Sequence, residues 1–431
     1  MGVLQRLVHF YALRPYKSAW PRRYTRAQWA GRVAPIAAIS QDGLDLNAFR
    51  KQAFGPEQPL LVKSQDCGRY DESCTALPAA RRWFVPQTAI TGAGSATTLA
   101  PCLTPFAMTQ LPYELMYFPT RQSGAEDGGS HTVLSKDDAA AGFVSWLAAD
   151  TTDPVRPGLA ALLAEHMSEV TAGEVEQKQQ QKQKQKQMHP QAQLRLVRMH
   201  APLALLMAGL AYNDHLRRHP EGKEGTAVPA GPPLTQLYVA QAALADLPPA
   251  LQRDLAAPDL VQRAGRGDVY GASLWLGLEP TYTPWHRDPN PNLFGQLCGS
   301  KTVRLLPPGR GERIFRDVQA ALQAAAAAAA AAATTTPVHA RIRGEEMMHG
   351  PERAALHDAI WGDAPPAGAD TKNYRNNNGD NDTAQASVAN TIHEAHLEPG
   401  DLLFIPKGWW HSVKSTFSDG RLNASVNWWF R

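Results

Sequence analysis

Apolar and polar positions follow two different rhythms along the chain. In the N-terminal half the segments "EQPLLVKSQ" (57–65) and "QLPYELMYFP" (110–119) have the composition of strands. "GFVSWLAAD" (142–150) and "QLRLVRMHAPLALLMAGLAYN" (193–213) carry apolar residues at spacings that predict helices. From residue 236 the runs shorten: "QLYVAQ", "GASLWLGLEP", "NLFGQLCGSKTVRLLPP", "HLEPGDLLFIPKGWWHSV" and "NASVNWWF" are separated by Gly, Pro and Asp. Short strands punctuated in this way predict an antiparallel sandwich or barrel. The expectation is an α+β chain, a helical N-terminal part feeding a β-rich C-terminal half, in one compact domain.

Three stretches interrupt that domain. Residues 174–194 are dominated by Gln and Lys, with almost nothing to bury, and predict an exposed helix or disorder. The segment 320–336 contains ten consecutive alanines, strong helix formers with little side chain to pack a core. Residues 362–390 have the polar, Gly/Asn-rich composition of a long loop. None of the three has the residues for chemistry.

The charge balance, 43 Lys and Arg against 40 Asp and Glu, gives a net +3 and no chain-wide basic field for nucleic acid. Four cysteines without a CxxC pair or dense, even spacing read as reduced thiols. No apolar run reaches the roughly 20 residues needed to cross a bilayer. Residues 1–50 form a separate basic N-terminal segment: the first 41 residues hold seven Lys and Arg and no acid, with apolar residues between them. Two readings fit, a mitochondrial transit segment or a solvated basic tail. The second leaves the protein in cytoplasm or nucleus.

On an extended strand residues i and i+2 face the same way, so His286 and Asp288 can point together into a barrel while Arg287 faces out. The competing reading is a strand end in which Asp288-Pro289 opens a loop. His411, beyond the Pro406-Lys407-Gly408 corner, offers a third ligand. Two imidazoles and one carboxylate leave coordination positions open, which suits a non-haem Fe(II) that binds substrate and oxygen. A structural zinc site fills four positions, often with cysteine, and no cysteine adjoins these residues. Lys301 follows the hairpin signal Gly299-Ser300. Either it enters the barrel and requires an anion, or it faces solvent at the hairpin edge. No acid lies between Asp288 and Glu312, so in the first case a bound dicarboxylate could supply the anion.

"TPWHRDPNPNLFGQLCGSKTVRLLPP" (283–308), "LEPGDLLFIPKGWWHSV" and "SVNWWF" resemble the cupin-like JmjC (Jumonji-C) 2-oxoglutarate oxygenases, close to their small protein-hydroxylase branch. The resemblance spans about residues 57–431 and implies a double-stranded β-helix, or jelly roll, as the catalytic domain. It implies that His286, Asp288 and His411 hold Fe(II), and that Lys301 meets the distal carboxylate of 2-oxoglutarate. Thr283 and Tyr238 would supply hydroxyl hydrogen bonds, with Asn292, Asn427 and the aromatic Trp275 lining the pocket. It implies a dioxygenase that consumes O2 and 2-oxoglutarate, hydroxylates a protein side chain and releases succinate and CO2. Histone demethylases of the family usually carry Glu where this chain has Asp288. A tRNA-modifying hydroxylase and a lysine demethylase remain alternatives within the family, although no basic, aromatic-laced patch argues for RNA. Outside that class stands an inactive cupin-like scaffold. His393 and His396 read as strand or surface residues.

Overall fold

A computed structural model describes residues 33–41, 44–64, 77–86, 97–117, 139–150, 152–181, 195–219, 231–332, 351–362 and 391–431. The basic segment up to residue 32, residues 182–194 of the Gln/Lys stretch, 333–336 at the end of the alanine segment, and 363–390 of the polar stretch lie outside the described residues. In chain order the elements begin β1 (Val33–Pro35), β2 (Ala38–Ser40), α1 (Leu46–Phe49), β3 (Leu60–Lys63), α2 (Pro78–Arg82), β4 (Phe84–Pro86), β5 (Thr97–Leu99) and β6 (Gln110–Tyr117). There follow α3 (Ala139–Ala149), α4 (Arg156–Gln181), β7 (Arg195–Pro202), α5 (Ala204–Arg218), β8 (Leu237–Ala243), α6 (Pro249–Asp254) and α7 (Asp259–Arg263). The C-terminal half comprises β9 (Val269–Leu278), β10 (Tyr282–Arg287), β11 (Asn292–Cys298), β12 (Lys301–Leu306), α8 (Pro308–Ala332) and α9 (Pro351–Trp361). It closes with β13 (Ile392–Leu397), β14 (Leu402–Ile405), β15 (Trp410–Ser415) and β16 (Leu422–Phe430).

Two sheets face each other. The smaller has the order β1-β13-β12-β15-β10, and the larger β2-β3-β14-β11-β16-β9-β8-β6-β7. Among themselves the strands β8 to β16 pair antiparallel, and a period of two, broken at a few register shifts, sorts the side chains. On β16, Leu422, Ala424, Val426, Trp428 and Phe430 join the large apolar core between the larger sheet and α1, α3, α4 and α5. The alternate residues Asn423, Ser425, Asn427 and Trp429 form the opposite, polar face of the strand. Lys301, Val303 and Leu305 alternate in the same way on β12. A second apolar cluster lies between the sheets, with Val303, Leu305 and Val413 from the smaller one against Leu61, Phe294, Leu403 and Ile405 from the larger. On the outer side of the smaller sheet, Trp285, Leu306 and Trp410 pack against Ile314 and Val318 of α8 and Leu356 and Ile360 of α9. The result is the double-stranded β-helix with helical cover, an α+β fold as the sequence predicted.

The segment 193–213 corrects the expectation of a single helix. Its first part is strand β7, in which Val197, Met199 and Ala201 are buried while Arg198 and His200 are exposed. That period of two fits a strand and not a 3.6-residue turn. Pro202, which lacks an N–H, ends the strand just before α5 begins. The N-terminal part is therefore mixed, with β3, β6, β7 and β8 extending the larger sheet. The described part of the Gln/Lys stretch, up to Gln181, continues α4, the first of the two states expected for it, and the alanine run continues α8. Among the described residues no helix is long and apolar enough to cross a membrane.

Glycine 277 is fixed by the fold. A Cβ there would lie 2.4 Å from the Leu237 carbonyl oxygen, 2.7 Å from the Tyr238 Cα and 2.8 Å from its ring. The two strands touch at this point, and Tyr238 sits directly opposite Gly277. Gly277→Ala is expected to destabilise the protein by roughly 1–3 kcal/mol, as overpacking does, and to lower the urea midpoint correspondingly.

Candidate metal centre

His286 and His411 are direct cross-strand partners on β10 and β15, with their ring centroids 4.2 Å apart. A register irregularity between Thr283 and His286 brings both Thr283 opposite Val413 and His286 opposite His411. Asp288 follows β10, and its carbonyl accepts the Gly408 N–H at 2.9 Å, which ties it to the corner leading into His411. Gly408 turns that corner with φ +74°, a conformation that favours glycine.

The His286 Nδ1 lies 2.8 Å from the Pro284 carbonyl oxygen and the His411 Nδ1 3.1 Å from that of Trp409. A carbonyl only accepts, so in the neutral rings Nδ1 carries the proton and Nε2 is left with its lone pair. The two Nε2 atoms stand 3.8 and 3.7 Å from the carboxylate oxygens of Asp288. All three ligand atoms lie within 4.8 Å of one another, and among the described residues no other group of three His, Cys, Asp or Glu does so. Burial pushes the pKa of His411 down to about 4, helped by His286 and opposed by Asp288, which keeps it a neutral ligand near pH 7. Burial would raise Asp288, but the two imidazoles and the N–H groups of Trp429 and Asn292 outweigh it and hold the carboxyl below its usual range. Two imidazole nitrogens and one carboxylate oxygen aimed at a common point fit a divalent cation with coordination positions to spare.

Lys301 is 3% exposed, which sets aside its reading as a solvent-facing hairpin residue. Its ammonium donates to Ser425 Oγ at 2.7 Å and to the Tyr238 hydroxyl at 3.4 Å. The rings of Phe294 and Tyr238 lie 5.5 and 5.8 Å away. Burial pulls its pKa down to about 7, with Glu279 the opposing influence. Among the described residues no carboxylate lies within ion-pair distance of it. Direct pairing with Val413 places Thr283 on the interior face of β10.

The remaining expected residues link the two ends of the interior. Trp275 faces the neighbouring Tyr238, ring to ring at 6.2 Å, and donates to Asn427 Oδ1 at 2.8 Å. Asn427 donates to Asn292 Oδ1 at 3.3 Å, and Asn292 donates to Asp288 Oδ2 at 2.9 Å. Asn292 therefore acts on the acidic ligand itself. His393 and His396 sit on β13 away from the triad, His396 against Thr302 and Glu394 and His393 beside Trp409. Two functional positions were missed. Trp429 donates to Asp288 Oδ2 at 2.8 Å, and Ser425 holds Lys301. Both lie two residues from Asn427, so extending the strand alternation from that residue would have found them.

Residues 142–431, more than half of the chain, match the family described as the Cupin-like domain. The chain therefore belongs to the cupin-like domain family, and a relative named for a Jumonji C domain is among the proteins it is similar to. It is similar to lysine-specific demethylase JMJ30 of Arabidopsis thaliana, 23% identical over 46% of this chain and 34% of that protein. It is also similar to Jumonji C domain-containing protein 5 of Drosophila melanogaster, 25% identical over 41% of this chain and 33% of the relative. Lysine-specific demethylase 8 of Danio rerio is 24% identical over 51% of this chain and 40% of its own length. The chain thus spans about a third to two fifths of the length of these relatives.

The two N–H donors on Asp288 Oδ2 orient the carboxylate. Trp429→Phe keeps an aromatic ring, though a smaller one, and removes one donor, and is expected to weaken Mn(II) binding about 10- to 100-fold, as outer-shell substitutions do, read by calorimetric titration.

Proposed function

We propose that the protein is an Fe(II)- and 2-oxoglutarate-dependent dioxygenase that hydroxylates a protein side chain. The observation that carries this reading is one β-walled interior holding both an open His/His/Asp triad and a buried ammonium that has no carboxylate partner among the described residues. Iron, when bound, supplies oxygen activation coupled to decarboxylation of 2-oxoglutarate, giving succinate, CO2 and an oxygen atom inserted into a C–H bond. His286, Asp288 and His411 would hold it through Nε2, a carboxylate oxygen and Nε2. Asn292 and Trp429 keep Asp288 ionised and oriented. Lys301 would take the distal carboxylate of 2-oxoglutarate, with the Tyr238 and Thr283 hydroxyls as further donors. The Phe294, Val303 and Leu305 cluster excludes water from that charge pair, which strengthens it.

Asp288 in place of the glutamate usual in the family's histone demethylases favours hydroxylation of a side-chain carbon. Demethylation is the second reading, favoured by the names of the Arabidopsis and Danio relatives. The two share oxygen insertion and differ in product. Hydroxylation leaves a protein one oxygen atom heavier, whereas demethylation releases formaldehyde. Mass spectrometry of proteins and RNA from cells with and without the gene separates them, and a modified RNA alone would overturn the protein substrate.

Purified wild type with Fe(II) and ascorbate is expected to release succinate from 2-oxoglutarate. His286→Ala is expected to lose metal binding and turnover together, and metal binding unchanged in that variant would favour an inactive scaffold. Lys301→Ala should raise the KM for 2-oxoglutarate by roughly 30-fold or more, since removing one member of a buried charge pair costs about 2–5 kcal/mol.

The same lysine sets a pH dependence. Its pKa of about 7 without an anion means that the ammonium is present below that pH and lost above it. A dicarboxylate needs the ammonium, so the protein must regain a proton to bind it, and affinity should fall up to about tenfold per pH unit above that point. Lys301→Arg keeps its charge throughout and should flatten the profile. Measuring the 2-oxoglutarate KM across neutral and mildly alkaline pH checks this, and a flat wild-type profile would refute it.

A further inference from the structure

Glu279 is fully buried at the end of β9, and nothing in the reading above uses it. Its Oε1 accepts from Asn423 Nδ2 at 2.8 Å and its Oε2 from the Phe417 N–H at 2.6 Å. The same Asn423 nitrogen donates to the Ser300 carbonyl at 3.1 Å, on the residue just before Lys301. Asn423 Oδ1 accepts from Gln296 Nε2, which also reaches the carbonyls of Cys298 at 2.8 Å and Gly299 at 3.1 Å. Three buried polar side chains from three strands therefore converge on the two-residue hairpin that delivers Lys301. Gly299 takes φ +68°, and a Cβ there would come within 2.8 Å of Asn423 Nδ2 and 3.2 Å of Glu279 Oε1, so the turn is pressed against this network. The segment after β15 is held as well, through Phe417 and through the Glu279 backbone with Gly420 and Arg421.

A buried carboxylate is costly, and burial indeed raises the pKa of Glu279. Among the described residues no cation lies within ion-pair distance of it. A carboxylate is nevertheless the side chain that can accept at both oxygens at once, from a backbone N–H and an amide N–H that point in from different segments. That geometric demand explains its presence here.

We propose that Glu279 is a positioning residue for the co-substrate: acting through Asn423 and the Gly299–Ser300 turn, it holds the Lys301 ammonium in place and sets the affinity for the dicarboxylate without touching it. This rests on the assignment of Lys301 to the distal carboxylate. Glu279→Gln is nearly isosteric, but its amide nitrogen must face either the Phe417 N–H or Asn423 Nδ2, so one hold on the turn is lost.

The test compares Glu279→Gln, Lys301→Ala and Asp419→Asn in the full chain, by calorimetric titration of 2-oxoglutarate into Mn(II)-loaded protein and by succinate release with Fe(II). Glu279→Gln is expected to weaken 2-oxoglutarate binding about tenfold, the loss of a hydrogen bond to a charged group, and to raise KM while kcat at saturating 2-oxoglutarate and Mn(II) affinity stay within about twofold. Asp419→Asn breaks an exposed ion pair with Arg421 in the same segment and should leave binding unchanged. Equal weakening in Asp419→Asn would make the effect one of loop stability and overturn the inference. Weakening in Lys301→Ala but not in Glu279→Gln would also overturn it, while intact binding in Lys301→Ala would refute the assignment of the lysine itself. If Glu279→Gln does not yield folded protein, Glu279→Asp draws the carboxylate back by one methylene and carries the same comparison, with the same expected direction.

Discussion

Asp288 and Lys301 are opposite charges buried in one interior, and they do not pair with each other. Burying either without compensation costs several kcal/mol, and much of the surrounding structure is compensation. Asp288 receives two N–H donors on one oxygen and lies between two imidazoles. Lys301 has a hydroxyl at 2.7 Å, a second at 3.4 Å and two aromatic faces. The compensation is incomplete for the lysine, as its lowered pKa records. The under-compensated ammonium and the open triad are the two features that the proposed co-substrate and metal would complete.

β16 shows how the fold sustains this arrangement. One face of the strand, Leu422 to Phe430 in alternation, anchors the largest apolar core. The other face supplies Asn423 to the Lys301 turn, Ser425 to the ammonium, Asn427 to the hydrogen-bonded chain and Trp429 to the acidic ligand. The stability of the strand and the layout of the site are set by the same alternation. A side chain changed on one face leaves the other in place, whereas a change in backbone register would alter both.

Much of this was legible in the sequence, because strand periodicity is local. His286 and Asp288 could be put on one face from their spacing alone, and the Gly299-Ser300 turn located the lysine. What was not legible depended on pairing between distant segments. The acid nearest in influence to Lys301 is Glu279, which lies before the His-x-Asp motif and not in the stretch between Asp288 and Glu312. Asn292 was expected to line a pocket, and only the fold shows its amide spent on Asp288. The misreading of 193–213 had a different cause, since Leu, Val and Met serve helices and strands alike, and edge pairing with β6 decided in favour of a strand.

The spacing between the two ends is also a matter of register. Lys301 pairs with Ser415 on β15, and His411 of the same strand pairs with Leu305 on β12. The two anchors are thus four residues apart along one ladder, about 13 Å between backbones at the rise of an antiparallel strand. The lysine side chain and the imidazole both reach inward and shorten that gap. A slip of one residue between β12 and β15 would turn His411 or Lys301 to the outer face and abolish the spacing. The β12–β15 ladder therefore sets the separation between the buried ammonium and the triad, and under the proposed function it is this separation that a diacid would have to match.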